Sequence, residues 1–230
     1  MALIEAEKAA KRSEETRLSR ERLHVTNRIT FDAAMAKCEP VNDTAEFDER
    51  ILSERLHDWG VGKLFLDVRL DRLPDWLPDG YRRMARHLLT MLKKPQTMAL
   101  CGDRGRGKSA LACGLVRAFC EKEMYARYLT ANGFFNQISR DMQSELAKLT
   151  KLHLLVIDEV QSRSPPPWLE PQLAEIIDAR YADSRPTLLL SCLPPAELQS
   201  NLGDSIHRRI IEQGGYLEAD WPRIAEVRPV

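Results

Sequence analysis

The chain has 230 residues, 43% hydrophobic and 30% charged, with 34 Lys and Arg against 34 Asp and Glu and a formal net charge of zero. This is the make-up of a globular protein with a sizeable core, and it excludes a disordered, collagenous or disulfide-stapled chain. Zero net charge supplies no general field for nucleic acid, so any contact with DNA must come from a local basic patch.

The chain opens Met1-Ala2-Leu3-Ile4 and then runs charged. Without an apolar h-region this is expected not to be a signal peptide. No apolar run approaches the ~20 residues of a membrane span. Residues 1–28 are rich in Glu, Lys, Arg and Ala and contain no Gly or Pro, which reads as one exposed helix. Its apolar residues (Leu3, Ile4, Leu18, Leu23, Val25) are too sparse to bury it on its own, so it either stays solvated or docks a partner. Residues 38–48 read as a linker. A short helix is expected over Glu49–Asp58, broken by Gly60 and Gly62. Pro74 and Pro78 then lead to a helix with a 3.6-residue stripe of Tyr81, Met84, Ala85, Leu88, Leu89 and Leu92.

From residue 96 strand and helix alternate. Gln96–Cys101 is an apolar strand, and Lys108–Lys122 a helix with Leu111, Ala112, Leu115 and Phe119 on one face. Ala126–Thr130 is the next strand. Asn132 is expected to cap one helix carrying Phe134, Phe135, Ile138, Met142 and Leu146. Leu152–Ile157 is a continuous apolar strand, as expected where both faces are buried. Leu169–Ala182 (helix), Thr187–Cys192 (buried strand), Asp204–Gln213 (short helix) and Tyr216–Ala219 (last strand) follow, with Pro165-Pro166-Pro167 a loop. The alternation predicts an α/β fold with a parallel sheet of about five strands between helices. Of the five cysteines, Cys38, Cys101, Cys113, Cys120 and Cys192, no two are spaced C-x-x-C. That argues against structural zinc, and their scatter suits a reducing cytosol. The last four lie in apolar sequence and read as small buried hydrophobes.

The chemistry is concentrated in two places. Gly102-Asp103-Arg104-Gly105-Arg106-Gly107-Lys108-Ser109 is a full G-x-x-x-x-G-K-S between a strand and a helix. Its glycines let backbone N–H groups wrap a phosphate. Lys108 is expected to reach the β- and γ-phosphates and Ser109 to offer its hydroxyl to Mg²⁺, so residues 102 to Ala110 form the ATP-binding set. Leu154-Leu155-Val156-Ile157-Asp158-Glu159 is an apolar strand delivering two acids to the sheet edge where ligands bind. Asp158 is expected to hold Mg²⁺ and Glu159 to orient and polarise the attacking water, which favours hydrolysis of ATP over transfer to a small acceptor. Arg104 and Arg106 have three destinations open: a neighbouring subunit, DNA or solvent.

With these motifs, Ile176 to Tyr181, Arg185 to Leu198, and Leu202-Gly203-Asp204 through Arg209, the chain from about Gly60 to Trp221 resembles the DnaC/DnaI-type helicase loaders. It is similar also to the IstB-type transposition ATPases. Both are AAA+ proteins, so the resemblance implies a AAA+ P-loop domain over 59–230, preceded by a helical partner-docking segment over 1–58. It implies a polar sensor at the end of the strand 187–192, usually an asparagine. Here the residues are Ser191 and Cys192, so either Ser191 substitutes or hydrolysis is slow. It puts an arginine finger at Arg209, with Arg208 as the neighbouring alternative. The arginine expected four residues after Trp221 is Ala225, leaving Arg223 and Arg228 as unassigned replacements. Single-stranded DNA contacts fall by analogy on Phe134, Phe135, Arg140, Lys148 and Lys151, against a core role for the phenylalanines and a solvated face for the cations. The implied function is a cytoplasmic ATPase that places a replicative hexameric helicase on single-stranded DNA, self-assembles through ATP, and holds the helicase by its N-terminal segment. The rivals are an IstB-like ATPase directing a transposase, a small-molecule P-loop kinase, and a non-hydrolysing adaptor.

Overall fold

A computed structural model of the chain describes residues 49–161 and 169–229. The helix expected over 1–28, the linker over 38–48 and the loop at 165–167 lie outside the described residues.

Five parallel strands form one sheet, in the order β2-β3-β4-β1-β5. They are β1 (Thr97–Cys101), β2 (Ala126–Thr130), β3 (Leu154–Asp158), β4 (Thr187–Leu190) and β5 (Gly215–Glu218). Register pairs Ala99 with Leu189 and with Tyr216, Ile157 with Leu189, and Thr130 with Asp158. The three central strands are wholly buried. Their alternate side chains therefore feed two cores. Met98, Leu100, Leu154, Val156, Leu188 and Leu190 join one; Ala99, Cys101, Leu155, Ile157 and Leu189 join the other.

Helices α1 (Glu49–Asp58), α2 (Asp79–Leu89) and α3 (Lys108–Cys120) contribute to the first core, the last through Leu111, Leu115 and Phe119. Helices α4 (Ala131–Arg140), α5 (Met142–Lys151), α6 (Leu169–Ala182) and α7 (Pro195–Gln213) contribute to the second, and a short α8 (Ile224–Val227) closes the described chain. Short 3₁₀ turns occupy Lys63–Phe65 and Thr90–Leu92.

Helix α1, assigned from sequence to the N-terminal segment, is built into this body. Leu52 and Leu56 sit in the first core, and the buried Arg117 of α3 donates to both Glu49 carboxylate oxygens at 2.7 and 2.8 Å and to Leu66 O at 2.8 Å. A division after residue 58 therefore cuts packed structure.

Three local expectations are corrected. Thr130, not Asn132, caps α4; its hydroxyl accepts from the Gly133 N–H at 3.0 Å. The single helix expected over Phe134–Leu146 is two. Asp141 breaks it at φ −157° and turns its carboxylate to the Ser144 N–H, starting α5. The short helix expected from Asp204 is the second half of α7, which begins at Pro195 and kinks at Gly203, where φ is +73°.

Candidate functional site

The strands all point one way, so their C-terminal ends share an edge, and the phosphate loop and the acidic strand end meet there. An open cleft of about 310 Å³ is lined by Gly105, Gly107, Lys108, Ser109, Ala110, Asp158 and Glu159 among others. It lies beyond the ends of β1, β3 and β4, the edge at which open α/β sheets bind ligands.

The loop after β1 is held from two sides. Gly107 stands at φ +79°, and a Cβ there would lie 2.8 Å from the Tyr81 ring, so only glycine allows the chain to turn into α3 against α2. On the outer side the segment after β5 clasps the loop. Trp221 Nε1–H donates to Arg106 O at 2.7 Å, the Arg106 guanidinium returns a bond to Trp221 O, and the Ile224 N–H donates to Gly105 O at 2.9 Å. Arg106 also pairs with Asp103 at 3.0 Å. In this way it braces its own loop. Arg104 is exposed at the cleft wall.

Lys108 is buried, and its ammonium donates to Gly102 O at 2.5 Å and Asp103 O at 2.8 Å. Burial lowers its pKa, offset in part by the Asp158 carboxylate. The ammonium is thus satisfied inside the loop that phosphates would enter. Ser109 Oγ donates to Asp158 Oδ2 at 2.6 Å. A hydroxyl and a carboxylate held this close form a hard oxygen pair that fits Mg²⁺, which is bound through one or two carboxylates plus phosphates.

Asp158 is steadied further. Its Oδ1 accepts the Glu159 N–H at 2.7 Å, and its Oδ2 accepts the Tyr128 hydroxyl from the neighbouring strand β2. Burial, then the bond to Asp158, raises the Tyr128 pKa well above the ordinary tyrosine value, so the phenol stays a proton donor. Glu159 follows at φ +59°, a left-handed backbone that is uncommon and costly for a residue with a side chain. That turn leaves Glu159 exposed in the cleft wall beside the buried Asp158.

At the end of β4, Ser191 and Cys192 also reach the cleft. Ser191 is 1% exposed and its Oγ accepts the Leu193 N–H at 3.0 Å. Cys192, expected to be buried, is half-buried on the cleft wall, whereas Cys101, Cys113 and Cys120 are buried. Its N–H donates to Gln161 Oε1 at 3.2 Å.

The remaining expected residues lie elsewhere. Arg209 Nε donates to Asp178 at 2.9 Å, and its guanidinium sits 4.4 Å from the centre of the Tyr181 ring. Arg208 beside it is exposed. Phe134 is 1% exposed within the second core, so it cannot stack on a base, and Phe135 packs against the same core. Arg140 and Lys151 are exposed, and Lys148 pairs with Glu145 at 2.7 Å. Sequence reasoning missed two cleft residues, Phe65 and Gln161, and the Asp158 partner Tyr128. A tyrosine in an apolar strand needs a partner for its hydroxyl, a signal that could have pointed to Tyr128.

A phosphate loop, an acidic strand end and this strand order define a P-loop ATP-binding protein of AAA+ type. The chain belongs to the IstB-like ATP-binding protein family, whose profile matches residues 82–211. No curated protein matches it. Among solved structures it is similar to DnaI at 18% identity and a TM-score of 0.61, covering 74% of this chain and 98% of that one. It is similar to the DnaC helicase loader at 20% identity and a TM-score of 0.57, covering 68% and 99%. It is similar to the replication initiator DnaA bound to AMPPCP and single-stranded DNA at 18% identity and a TM-score of 0.59, covering 67% and 50%. At these identities the likeness shows a shared fold. Among the described residues no helix is long and apolar enough to cross a membrane.

Proposed function

We propose that the chain is an ATP-driven loader that places a replicative hexameric helicase on single-stranded DNA. The observation that carries the reading is the convergence of Lys108, Ser109, Asp158 and Glu159 on one cleft. Lys108 exchanges the carbonyls of Gly102 and Asp103 for the β- and γ-phosphates. Ser109 and Asp158 hold Mg²⁺, which neutralises phosphate charge when bound. Glu159, turned into the cleft by its left-handed backbone, orients the attacking water. Arg209 of one subunit reaches the γ-phosphate of the next, leaving Asp178 to do so, and ATP thereby joins subunits. Arg208, exposed beside it, is the second candidate for that contact. Arg140, Lys148 and Lys151 meet DNA phosphates.

The residues before α1 dock the helicase. The test is a pull-down, with ATP present, comparing the full chain with one lacking residues 1–48; this truncation spares α1 and its contacts to the core. Recovery of a replicative helicase by the full chain alone supports the loader. Family membership gives specific weight to a second reading, an IstB-like ATPase that directs a transposase, and recovery of a transposase would establish it instead.

A further inference from the structure

Resting on the reading of the cleft as an ATP-hydrolysing site, we propose that Gln161 supplies the neutral amide donor that faces the γ-phosphate and the attacking water. Three features of the backbone bring it there. β3 and β4 run side by side up to the pairing of Ile157 with Leu189. Glu159 then turns left-handed, yet the chain stays beside β4, because the Val160 N–H donates to Leu190 O at 3.1 Å. Gln161 consequently lies next to Cys192 and lines the cleft with Lys108, Ser109 and Glu159.

Its amide is oriented. The Cys192 N–H can be met only by an acceptor, so the 3.2 Å contact assigns Oε1 to that side. The two N–H bonds of Nε2 remain, and they have no partner among the described residues. A backbone anchor of this kind presents a donor pair without reorganisation during reaction.

Among the described residues that line the cleft, Gln161 carries the one side-chain amide. Glu159 only accepts when ionised, and the Cys192 thiol is a weak donor. Ser191 is 1% exposed, so its hydroxyl, which accepts the Leu193 N–H and keeps its own proton, offers the cleft little surface. Lys108 is the phosphate-binding cation. In the reaction the water oxygen bonds to the γ-phosphorus while the bond from that phosphorus to the β–γ bridging oxygen breaks. ADP leaves with that electron pair, and the water's proton passes through Glu159 to the products. Charge develops on the γ-phosphoryl oxygens and on the bridging oxygen, and a neutral donor beside them stabilises it without neutralising Glu159.

The test measures turnover and affinity separately in the full chain, for wild type, Gln161→Ala and Gln161→Glu. Glutamate keeps an acceptor for the Cys192 N–H but removes the donors. Both variants should bind ADP within about twofold of wild type and lose kcat by about 10- to 100-fold, the loss of one hydrogen bond to a charged group. Both should also lose the tightening of ADP by aluminium fluoride, a mimic of the transferring phosphoryl group, which is read without turnover. Wild-type kcat in Gln161→Glu would make Gln161 an anchor for the β4 end only and overturn the proposal, as would an affinity loss that accounts for the whole effect. A wild-type chain that binds ATP but never hydrolyses it would overturn the underlying reading instead.

Discussion

Arg180 provides a quantitative test of how the sheet is tied to its helices. Its side chain is fully buried. Nη1 donates to Leu149 O at 2.7 Å and Leu152 O at 2.9 Å, Nη2 to Pro186 O at 2.6 Å, and Nε to Thr187 Oγ1 at 2.9 Å. Burial, with Arg185 nearby, pushes its pKa down to about 9, so it remains a cation at neutral pH. Arg180→Met keeps the aliphatic stem and removes every donor. Pro186 O retains the Leu155 N–H at 3.2 Å, but Leu149 O and Leu152 O are left without this donor inside the protein. At ~1–3 kcal/mol per orphaned buried acceptor, with a smaller loss at Thr187, the cost is about 4 kcal/mol, a large share of the ~5–15 kcal/mol of a typical domain. Arg180→Lys should recover little, because one ammonium cannot span four acceptors. Urea unfolding followed by tryptophan fluorescence reads the difference. The four acceptors lie in the last turn of α5, just before β3 and β4, and at the first residue of β4, at the opposite edge from the cleft, so nucleotide affinity of the folded variant should be unchanged. A loss below ~1 kcal/mol would refute the reasoning.

Tyr128→Phe keeps the ring and drops the hydroxyl from Asp158. Nucleotide binding in EDTA should be unchanged while the Mg²⁺ needed for half-maximal tightening rises about tenfold, as read by titration of a fluorescent nucleotide. Arg209→Ala should spare nucleotide binding and abolish ATP-dependent assembly in light scattering; loss through Arg208→Ala instead would move the finger by one residue. Burial, with Arg185 and Arg180 nearby, holds the His153 imidazole below its ordinary 6.5. The unfolded chain therefore takes up that proton first, so the His153 contribution to stability is present above pH 6.5 and is lost as pH falls below it. Melting curves between pH 7.5 and 5.5 should show a shallower acid loss in His153→Asn.

Local patterns were legible in the sequence where local physics decides them. The glycines and Lys108 of the phosphate loop, the apolar run ending in Asp158 and Glu159, and four of the central helices follow from spacing alone. Features decided by contacts far along the chain were not. The start of α7 was not read, the helix being placed only from Asp204, although proline at a first helical turn is favourable and Gly203 merely kinks the helix that follows. Asp141 sits inside a continuous apolar stripe, so the break it makes is invisible to periodicity. Tyr128, Gln161 and Arg106 acquire their roles from residues 30, 31 and 115 positions away, which no motif encodes. Phe134 and Phe135 fit both a core stripe and a stacking platform in sequence, and the packing of α4 on the sheet decides for the core.

The central claim is that the cleft hydrolyses ATP with Glu159 as the group that activates water. The most direct test is single-turnover ATP hydrolysis by wild type and Glu159→Gln at saturating nucleotide, with occupancy confirmed in the same samples. The account predicts equal occupancy and a rate at least about 100-fold slower in the variant, within the range for loss of a general base. Equal rates at equal occupancy would remove Glu159 from the mechanism and contradict the account.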